Sequence, residues 1–453
     1  MRDSISAFAE HVAATSFAQI DTTAVAAAKT FVLDTLGVGI GGSIGPNAAA
    51  LPDIVQAFGR GDQARVWGTG EALPLSAAAM CNTYRTHCSE FDCVHEAAVV
   101  HVMTIVLPAA LAEAERQGNV DGKRLIEAVI LGVDVAAGIG LATQSGLKFF
   151  RPATAGTFGG VAAIAKLRNL SADKLVMAFS VAYGQLCGTM QAHAEGSSLL
   201  AMQIGFGARN AVVAVTLAEH GITGPVNVLD GEFGYFNLFE NNGDATSVIS
   251  QLGKEWCITD VAHKPFPSGR ATHGIIDACL TLKRAHDISG ENIATVSAEV
   301  SRLVHQLVGR APRQQMDINY ARLCARYVAA CALIDGDVAF SDFNDEAYLR
   351  PGHRALADKI DMLSAGPETD GSLTPVSVEI VLADGTRHRE TVASVYGCPG
   401  NPMTYEAQLA KFRQNCANAL RPVPMHQVDD MIATIADLET ASDVSRLIDL
   451  SIA

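Results

Sequence analysis

Helical periodicity dominates the first part of this chain, and no other sequence feature restricts its fold as strongly. Apolar side chains recur at three- and four-residue spacing, the period of a helix with one buried face. The segments with this pattern are 4–36, 48–58, 76–89, 108–117, 122–142, 157–166, 172–182 and 208–219. Short turns containing Gly or Pro separate them, without the alternation typical of strands. The sequence therefore predicts one large all-α domain that extends to about residue 260.

The pattern changes in the second half of the chain. Residues 294–305 are rich in β-branched side chains, and 376–382 with Asp384-Gly385 and 390–395 predict a hairpin. Helical runs at 275–286, 321–335 and 353–359 lie between these strands. We therefore predict a mainly α protein with a smaller α+β domain over 261–395. The helical domain combines 1–260 with 396–453, because helical runs return at 404–420 and 428–448.

Composition excludes several classes of partner. The 453 residues contain 33 Lys and Arg against 48 Asp and Glu, a formal net charge of −15. This charge repels a nucleic-acid backbone and an anionic membrane surface, so neither is an expected partner. The longest apolar stretch, 128–142, is interrupted by Asp134 and is short for a membrane span. A small anionic substrate stays possible, because Arg and Lys can cluster locally in a cleft.

The cysteines and the N-terminus indicate the compartment. Ten cysteines are present without a CxxC pair, which is typical of reduced thiols in the cytoplasm. Residues 1–17 include Arg2, Asp3, Glu10 and His11 and lack the apolar core of a signal peptide. We therefore expect a cytoplasmic protein.

A Gly-rich segment, Gly37-Val-Gly39-Ile-Gly-Gly42, matches the dinucleotide fingerprint by its letters. That fingerprint requires a preceding strand and a helix that begins at its end, so that free backbone N–H groups meet a pyrophosphate. Here an Ala-rich helical run precedes the glycines, and Gly45-Pro46 extends the turn. The context favours a close-packed helix end, and we predict no cofactor.

Potential ligands and proton-transfer groups concentrate between residues 87 and 101. Zinc sites of high specificity show fixed pairs such as HExxH or CxxC, and neither occurs here. An acid/base pocket is the favoured interpretation and no metal is predicted, although His87 and His95 individually match ordinary surface or helix-end histidines. The residues concerned are His87, Cys88, Glu90, Asp92, Cys93, His95 and His101.

A second concentration of polar groups spans Lys264 to His273. Two prolines and Ser268-Gly269 predict a rigid loop that joins the two domains and enters a helix near Thr272. Arg270 could bind a carboxylate through two parallel hydrogen bonds, or the loop could hold an interdomain salt bridge. Arg151 and Arg209 each lie beside a Gly-rich helix start, where either could bind an anion or serve as a buried structural partner.

Together these segments resemble the MmgE/PrpD family in order and spacing. The resemblance covers most of the chain. The matching segments are Leu33-Asp-Thr-Leu-Gly37, His87-Cys-Ser-Glu-Phe-Asp92, His101 with Leu107-Pro-Ala-Ala-Leu111, Thr154-Ala-Gly-Thr-Phe-Gly159, Gly205 to Arg209, Lys264 to His273, Tyr327 with Ala329 to Gly336, and Gly400 to Thr404 with Lys411-Phe412.

The resemblance implies a helical domain built from both chain ends, a smaller lid domain over 261–395, a cleft between them and a homodimer. It places the catalytic loop histidine on His101, the junction lysine on Lys264 and the lid-helix tyrosine on Tyr327. The candidate catalytic residues are His101, Lys264, Tyr327, Glu90 and Asp92. The candidate substrate-binding residues are Arg270, Arg151, Gln203, His273 and Arg209.

Several positions depart from the family pattern. The acidic stretch usual in the family becomes Glu90-Phe-Asp92-Cys93-Val94-His95, Arg151 replaces a histidine, and Leu200 and Gln203 replace a lysine and a histidine. Gly269 stands where relatives often carry Cys or His. These changes favour a substrate with fewer or differently placed carboxylates than those of the best-known relatives.

The main functional hypothesis is a cofactor-independent lyase that abstracts a proton α to a carboxylate or carbonyl of a small metabolite. His101 is the expected base and Lys264 or Tyr327 the partnering acid, with Arg270 and Arg151 holding the carboxylate. One alternative is an epimerase or isomerase of a small dicarboxylate. Another is a non-catalytic oligomer that binds a small ligand.

Overall fold

Helices form nearly all of the first part of the computed structural model, which describes residues 3–143, 146–366 and 372–453. These helices are α1 Ser4–Ala14, α2 Thr22–Gly41, α3 Leu51–Val55, α4 Leu75–His87, α5 Val102–Gln117, α6 Gly122–Leu141, α7 Arg151–Leu167, α8 Ala172–Tyr183, α9 Met190–Glu195, α10 Leu199–Glu219, α11 Tyr235–Leu238 and α12 Thr246–Gln251. Side chains of Asp21, Asp121 and Ser171 cap α2, α6 and α8 by accepting backbone N–H bonds.

Glycine and alanine allow the central helices to approach one another closely. A Cβ added at Gly159 in α7 would lie 2.7 Å from the carbonyl oxygen of Gly132 in α6. One added at Gly42 would lie 1.8 Å from the carbonyl oxygen of Arg85. The interpretation of the Gly37 to Gly42 segment as a close-packed helix end is therefore confirmed, since these glycines serve packing.

Two helical stretches have the length and apolar content of a membrane span, Thr22–Ile44 and Leu199–Glu219. Within the fold, 72% and 67% of their most apolar windows are buried. Both pack against neighbouring helices of the core: α2 against α4 and α19 (Tyr405–Ala417), and α10 against α4 and α7. Their apolar character is thus used for helix packing.

The second part combines helices with a four-stranded sheet. Its helices are α13 His273–His286, α14 Arg302–Val308, α15 Ile318–Arg322, α16 Ala325–Asp335, α17 Asp345–Tyr348 and α18 Pro351–Ala357. Its strands are β5 Ile293–Val300, β6 Ile360–Ser364, β7 Val376–Leu382 and β8 Arg387–Val392. The sheet order is β6-β5-β7-β8, with β5 parallel to β6 and the other pairs antiparallel. Helix α13 packs on β7 and β8.

Several segments of this part differ from the prediction. The second hairpin strand, expected over 390–395, spans Arg387–Val392, and strand β6 was not expected. The strand expected over 294–305 ends at Val300, because the Ser301 side chain accepts the N–H of Val304 and starts α14. The helix expected over 321–335 is interrupted at Leu323 and Cys324, between α15 and α16. The hairpin of β7 and β8 is confirmed, as is a mainly α fold with a smaller α+β part.

One pair of short strands joins the two parts, and the last helices pack on the first part. The two-residue strands are β1 Ala64–Arg65, β2 Ala72–Leu73, β3 Val94–His95 and β4 Val261–Ala262, and β3 pairs with β4. Helix α19 packs on α2 and is followed by α20 Met425–Ala436 and α21 Ser445–Ser451, which pack on each other. The division at 260 and 395 and the lid role of the second part remain predictions.

Candidate active site

The polar cluster predicted near residue 90 forms where α4 ends. The chain leaves the helix at His87 and turns through Glu90, whose φ of +51° lies in the left-handed region that non-glycine residues rarely adopt. His87, Glu90 and Asp92 are all buried, with at most 4% of their surface exposed. His87 was expected to be an ordinary surface or helix-end histidine. Its position at the end of α4 agrees with the second alternative, but the surface alternative is wrong because other segments cover this helix end.

Three cationic side chains from remote segments fix this turn. Arg322 donates to the carbonyl of Cys88 at 2.6 Å, which satisfies an acceptor at the end of α4. Lys411 donates to the carbonyl of Phe91 at 2.9 Å, and its Nζ lies 4.0 Å from the centroid of the Phe91 ring. Lys264 Nζ lies 2.8 Å from Glu90 Oε2. The strained conformation is thus held by contacts that form only in the complete fold.

Asp92 is the centre of the cluster. Its Oδ2 lies 3.0 Å from Nδ1 of His101 and 3.0 Å from Nδ1 of His87, and accepts the hydroxyl of Thr104. Lys264 Nζ lies 3.7 Å from its other oxygen. A carboxylate can only accept hydrogen bonds. We therefore assign a proton to the Nδ1 atom of each of the two histidine rings that face Asp92.

His101 immediately precedes α5 and borders the cavity described below. With Nδ1–H directed at Asp92, its Nε2 carries a lone pair. Among the described residues nothing hydrogen-bonds to Nε2, and 13% of the side chain is exposed. Burial lowers the pKa of His101, Asp92 raises it and Lys264 lowers it again, with a net decrease. The ring is therefore neutral at pH 7 and can accept a proton.

The rest of the cluster is ionised. Burial opposes the charge of Glu90 and Asp92, but Lys264 and the histidines hold both carboxyl pKa values well below their usual range. Burial also opposes the charge of His87, yet Asp92 and Glu90 raise its pKa to about 9. Nε2 of His87 lies 3.3 Å from Glu90 Oε1. The two groups form an ion pair, but their geometry does not allow a hydrogen bond. Two carboxylates are thus balanced by one ammonium and one imidazolium group.

A cavity of about 70 Å³ opens beside His101. Its polar lining comes from Glu90, Glu96, His101, His193 and Arg270. The remaining wall is apolar, and its residues are Val94, Val99, Leu147, Phe150, Pro152, Met190, Gly269, Ala271, Leu307, Val308, Leu323 and Leu373. A mostly apolar pocket with a few convergent polar groups is typical of a site for a small molecule.

Two lining residues carry backbone strain. Val99 has a φ of +52°, which is an outlier for a β-branched residue, and Glu90 has a similar value. The turn at Val99 is closed by hydrogen bonds between His95 and Val100, at 2.9 and 3.3 Å. Such strain persists where the surrounding structure determines the backbone, and it is common at functional sites.

Arg270 lies at the cavity as predicted, but its donors are already engaged. Nε meets Glu96 at 2.5 Å, and Nη1 donates to the carbonyls of Tyr396 and His263 at 2.8 and 3.1 Å. His273 lies 3.4 Å from the same guanidinium, and burial together with Arg270 lowers its pKa well below the usual range. A substrate carboxylate that binds Nε of Arg270 would compete with Glu96.

Lys264 and Asp92 do not line the cavity but support residues that do. Lys264 is fully buried behind Glu90, so its charge reaches the cavity through that carboxylate. The predicted association of Lys264, Glu90, Asp92 and His101 is therefore present in the structure. Their catalytic roles remain proposals.

Four other predicted site residues have their described contacts elsewhere. Arg151 pairs with Glu240 through two bonds of 2.9 Å, so the structural-partner alternative applies to it. Arg209 is exposed and stacks on Phe206 at 5.0 Å. Gln203 accepts the N–H of Thr189 at 2.7 Å, and Tyr327 donates to the carbonyl of Asp342 at 2.6 Å. None of the four is among the cavity-lining residues of the described chain.

Sequence reasoning missed a second histidine of the cavity, His193, and its partner Arg310. His193 lies in α9 and is 7% exposed, and Arg310 follows α14. Arg310 Nη2 lies 3.2 Å from His193 Nδ1. The sequence offered only a histidine within a helical stretch, and the guanidinium that gives it a defined state is 117 positions away.

His87, His101 and Asp92 each place one potential ligand atom within 4.8 Å of the others, which is close enough to bind a metal ion. His87 would have to lose its proton, and the Lys264 ammonium 3.7 Å from Asp92 would oppose a dication. A second group, Cys331, Asp335 and His353, already has a guanidinium on Asp335 at 3.2 Å. The charges present in both groups suit ion pairing better than metal binding.

Comparison with known proteins gives the family. The profile of the MmgE/PrpD N-terminal domain matches residues 6–247, and that of the MmgE/PrpD C-terminal domain matches residues 266–436. The first match alone covers more than half of the chain. The chain belongs to the MmgE/PrpD family. The resemblance drawn from the sequence motifs is thereby confirmed.

Relatives that match nearly the whole chain are named cis-aconitate decarboxylases. Cis-aconitate decarboxylase of Mus musculus is 28% identical over 437 residues, which cover 93% of this chain and 88% of the mouse protein. The enzyme of Homo sapiens is 28% identical, covering 92% and 88%. That of Aspergillus terreus is 27% identical, covering 93% and 90%. These relatives are enzymes of the lyase type.

Proposed function

We propose that this protein is a cofactor-independent lyase that removes a proton α to a carboxylate or carbonyl of a small carboxylate and expels a group from the adjacent carbon. Family membership supports a lyase of small carboxylates. The relatives named as decarboxylases act on cis-aconitate, and we extend only the class of reaction to this chain. A homodimer, on the basis of the family resemblance, and a cytoplasmic location, on the basis of the cysteine pattern, remain part of the proposal.

The state of His101 carries the proposal. Its Nδ1 lies 3.0 Å from Asp92, and its Nε2 borders the cavity without a described partner. A neutral imidazole with a fixed tautomer is a general base that is ready at neutral pH. In the proposed step, Nε2 takes the α-proton, the electron pair of the C–H bond forms the new double bond, and the leaving group departs with its own pair.

The surrounding ion pairs support this step. Asp92 stabilises the imidazolium that forms on His101 and orients the ring, as a carboxylate does for other catalytic histidines. Lys264 balances Asp92 and Glu90, so the pocket does not accumulate negative charge. We therefore assign Lys264 to positioning, and a role for Tyr327 as the acid has no support from its described contacts.

The walls of the cavity favour a substrate less charged than cis-aconitate. Arg270 is the cationic side chain among the described lining residues, and Glu96 neutralises it at 2.5 Å. The carboxylates of a tricarboxylate would have no unpaired cationic side chain to bind in the described part of the lining, and burying an unpaired carboxylate costs free energy. We therefore propose a substrate with one or two carboxylates and an apolar portion that contacts the remaining wall.

Proton NMR in deuterated buffer tests the reaction. The acids are cis-aconitate, malate, aspartate and 3-hydroxybutyrate, each with wild-type protein, His101→Ala and the matched surface variant His220→Ala. We expect loss of the α-proton signal and an alkene product with wild type and His220→Ala, and at least a hundredfold slower change with His101→Ala.

Other outcomes would contradict the proposal. Deuterium incorporation without an alkene would identify an epimerase. Thermal stabilisation by an acid that never reacts would support a non-catalytic ligand-binding protein. Undiminished rates with His101→Ala would remove the base from the mechanism. Addition of a chelator to the same samples tests the expectation that no metal is required.

A further inference from the structure

A second imidazole borders the cavity and has no part in the proposed proton abstraction. His193 lies in the short helix α9, and 93% of its surface is buried. It lines the same cavity as His101 and Glu90. Burial first, and Arg310 second, lower the pKa of His193 to about 3, while Glu90 raises it and His101 lowers it. His193 is therefore neutral at every pH at which the protein would be assayed.

Arg310 determines which nitrogen of His193 carries the proton. Its Nη2 lies 3.2 Å from His193 Nδ1, and its Nη1 donates to the backbone carbonyl of His193 at 2.9 Å. A guanidinium has donors only, so Nδ1 must accept this bond. The proton of the neutral ring is consequently on Nε2.

The Nε2–H group is available to a ligand. Among the residues that the structure describes, no group hydrogen-bonds to Nε2 of His193. Nε2 of His193 is not fully enclosed by protein, unlike the unpartnered Nε2 atoms of His95 and His263. Because the side chain lines the cavity, the N–H can donate to an oxygen atom bound there.

The two histidines of the cavity therefore have opposite capacities. Asp92 accepts from Nδ1 of His101, which leaves a lone pair on its Nε2. Arg310 donates to Nδ1 of His193, which leaves a hydrogen on its Nε2. One ring can accept a proton from carbon, while the other can donate a hydrogen bond to the charge that this transfer creates.

We propose that His193 is a second catalytic residue, whose Nε2–H donates a hydrogen bond to the substrate oxygen that becomes negative when His101 removes the α-proton. This inference rests on the proposed function. No proton leaves His193 in this step: the proton moves from carbon to His101, and the enolate oxygen accepts the bond from Nε2–H. Expulsion of the leaving group then returns the electron pair to the carbon framework.

Two substitutions separate this role from a structural one. The amide nitrogen of His193→Gln can reach the position of Nε2, whereas the shorter amide of His193→Asn stays near the position of Nδ1. The assay is the rate of α-proton loss and alkene formation in deuterated buffer, with whichever of the four acids named above reacts fastest with wild type. We expect kcat to fall about 10²- to 10³-fold in His193→Asn with a smaller change in KM, and within about tenfold in His193→Gln. The exposed matched variant His220→Asn should behave as wild type.

The possible results distinguish this inference from the proposed function. If His101→Ala abolishes alkene formation while both His193 variants retain wild-type kcat, His193 has no catalytic role. If His101→Ala forms the alkene at the wild-type rate, the proposed function fails first. If the two His193 variants lose activity equally and melt at much lower temperature than wild type, the role is structural and the inference is overturned.

The tautomer can be tested without any substrate or active variant. In protein with ¹⁵N-labelled histidine, two-bond ¹⁵N–¹H correlation spectra report which ring nitrogen carries hydrogen. We expect the Nε2–H form of His193 between pH 5 and pH 8, with the signal assigned by its absence from His193→Gln. An Nδ1–H form or an imidazolium at pH 7 would exclude the donor that we propose.

Discussion

Replacing Asp92 with Asn is the most direct perturbation of the candidate site. The substitution keeps the shape of the side chain and removes one negative charge. That charge lies 3.0 Å from His101 and His87 and 3.7 Å from Lys264. An amide can also donate, so His101 is no longer required to keep its proton on Nδ1.

Two effects of different size follow from these contacts. Asp92 is fully buried, and loss of one partner from a buried ion-pair network costs about 3 to 5 kcal/mol of unfolding free energy. The effect on catalysis is separate, because a misoriented or wrongly protonated base forfeits about 10²- to 10⁴-fold in rate. Asp92 also raises the pKa of His101, so its removal lowers that pKa further. Protonation of His101 at pH 7 therefore cannot explain the predicted loss.

The assay is the rate of alkene formation in deuterated buffer below the melting temperature, with thermal unfolding measured in parallel. Glu240→Gln is the matched control, since it breaks the buried Arg151–Glu240 pair, with two bonds of 2.9 Å, without touching His101. We expect both variants to be destabilised and only Asp92→Asn to lose more than a hundredfold in kcat. Equal activity of the two folded variants, or an acid limb of the pH profile that moves upward in Asp92→Asn, would refute the reasoning.

Three further predictions follow from individual contacts. The pKa of His87 rises from 6.5 to about 9 on folding, so its stabilisation is complete below pH 6.5 and is lost as the pH rises through about 9. Wild type should therefore lose about 3 kcal/mol more than His87→Asn over that interval in urea unfolding. Glu96→Gln should free Arg270 from its ion pair and lower the KM for a carboxylate substrate about three- to tenfold in steady-state kinetics. An unchanged KM would show that Arg270 does not contact the substrate. Lys411→Met should cost about 3 to 5 kcal/mol of unfolding free energy, because it leaves Asp34 buried without the ammonium group 2.7 Å away. It should also reduce kcat more than KM, because it frees the Phe91 carbonyl, and an unaltered kcat would contradict a positioning role.

Local signals explain which parts of the fold could be predicted. The opening helices follow from apolar periodicity and from the cap at Asp21, and the hairpin follows from strand alternation around Asp384-Gly385. Helix α10 was expected from residue 208 but begins at Leu199. The Gly-rich segment before it looked like a helix start. Instead, a Cβ at Gly207 would lie 2.5 Å from the Thr157 hydroxyl, so the glycine serves helix packing within α10.

The candidate site was predictable only where family motifs mark it. Those motifs drew attention to His101, Lys264 and Glu90, and the structure brings these residues together. They gave no indication of Arg322 or Lys411, which hold the turn through the carbonyls of Cys88 and Phe91, 234 and 320 positions away. A lysine or arginine that donates to a backbone carbonyl leaves no periodicity or spacing in the sequence. Such support becomes visible only when the packing is known.

The two cavity histidines show why residue type alone does not define a chemical role. His101 and His193 have the same side chain, and burial lowers the pKa of both. What differs is the group at Nδ1, an acceptor for His101 and a donor for His193. An acceptor there leaves the ring able to take a proton, and a donor leaves it able to give a hydrogen bond. In the mechanism proposed here, Asp92 makes His101 the general base and Arg310 makes His193 the hydrogen-bond donor. Neither Asp92 nor Arg310 contacts the substrate.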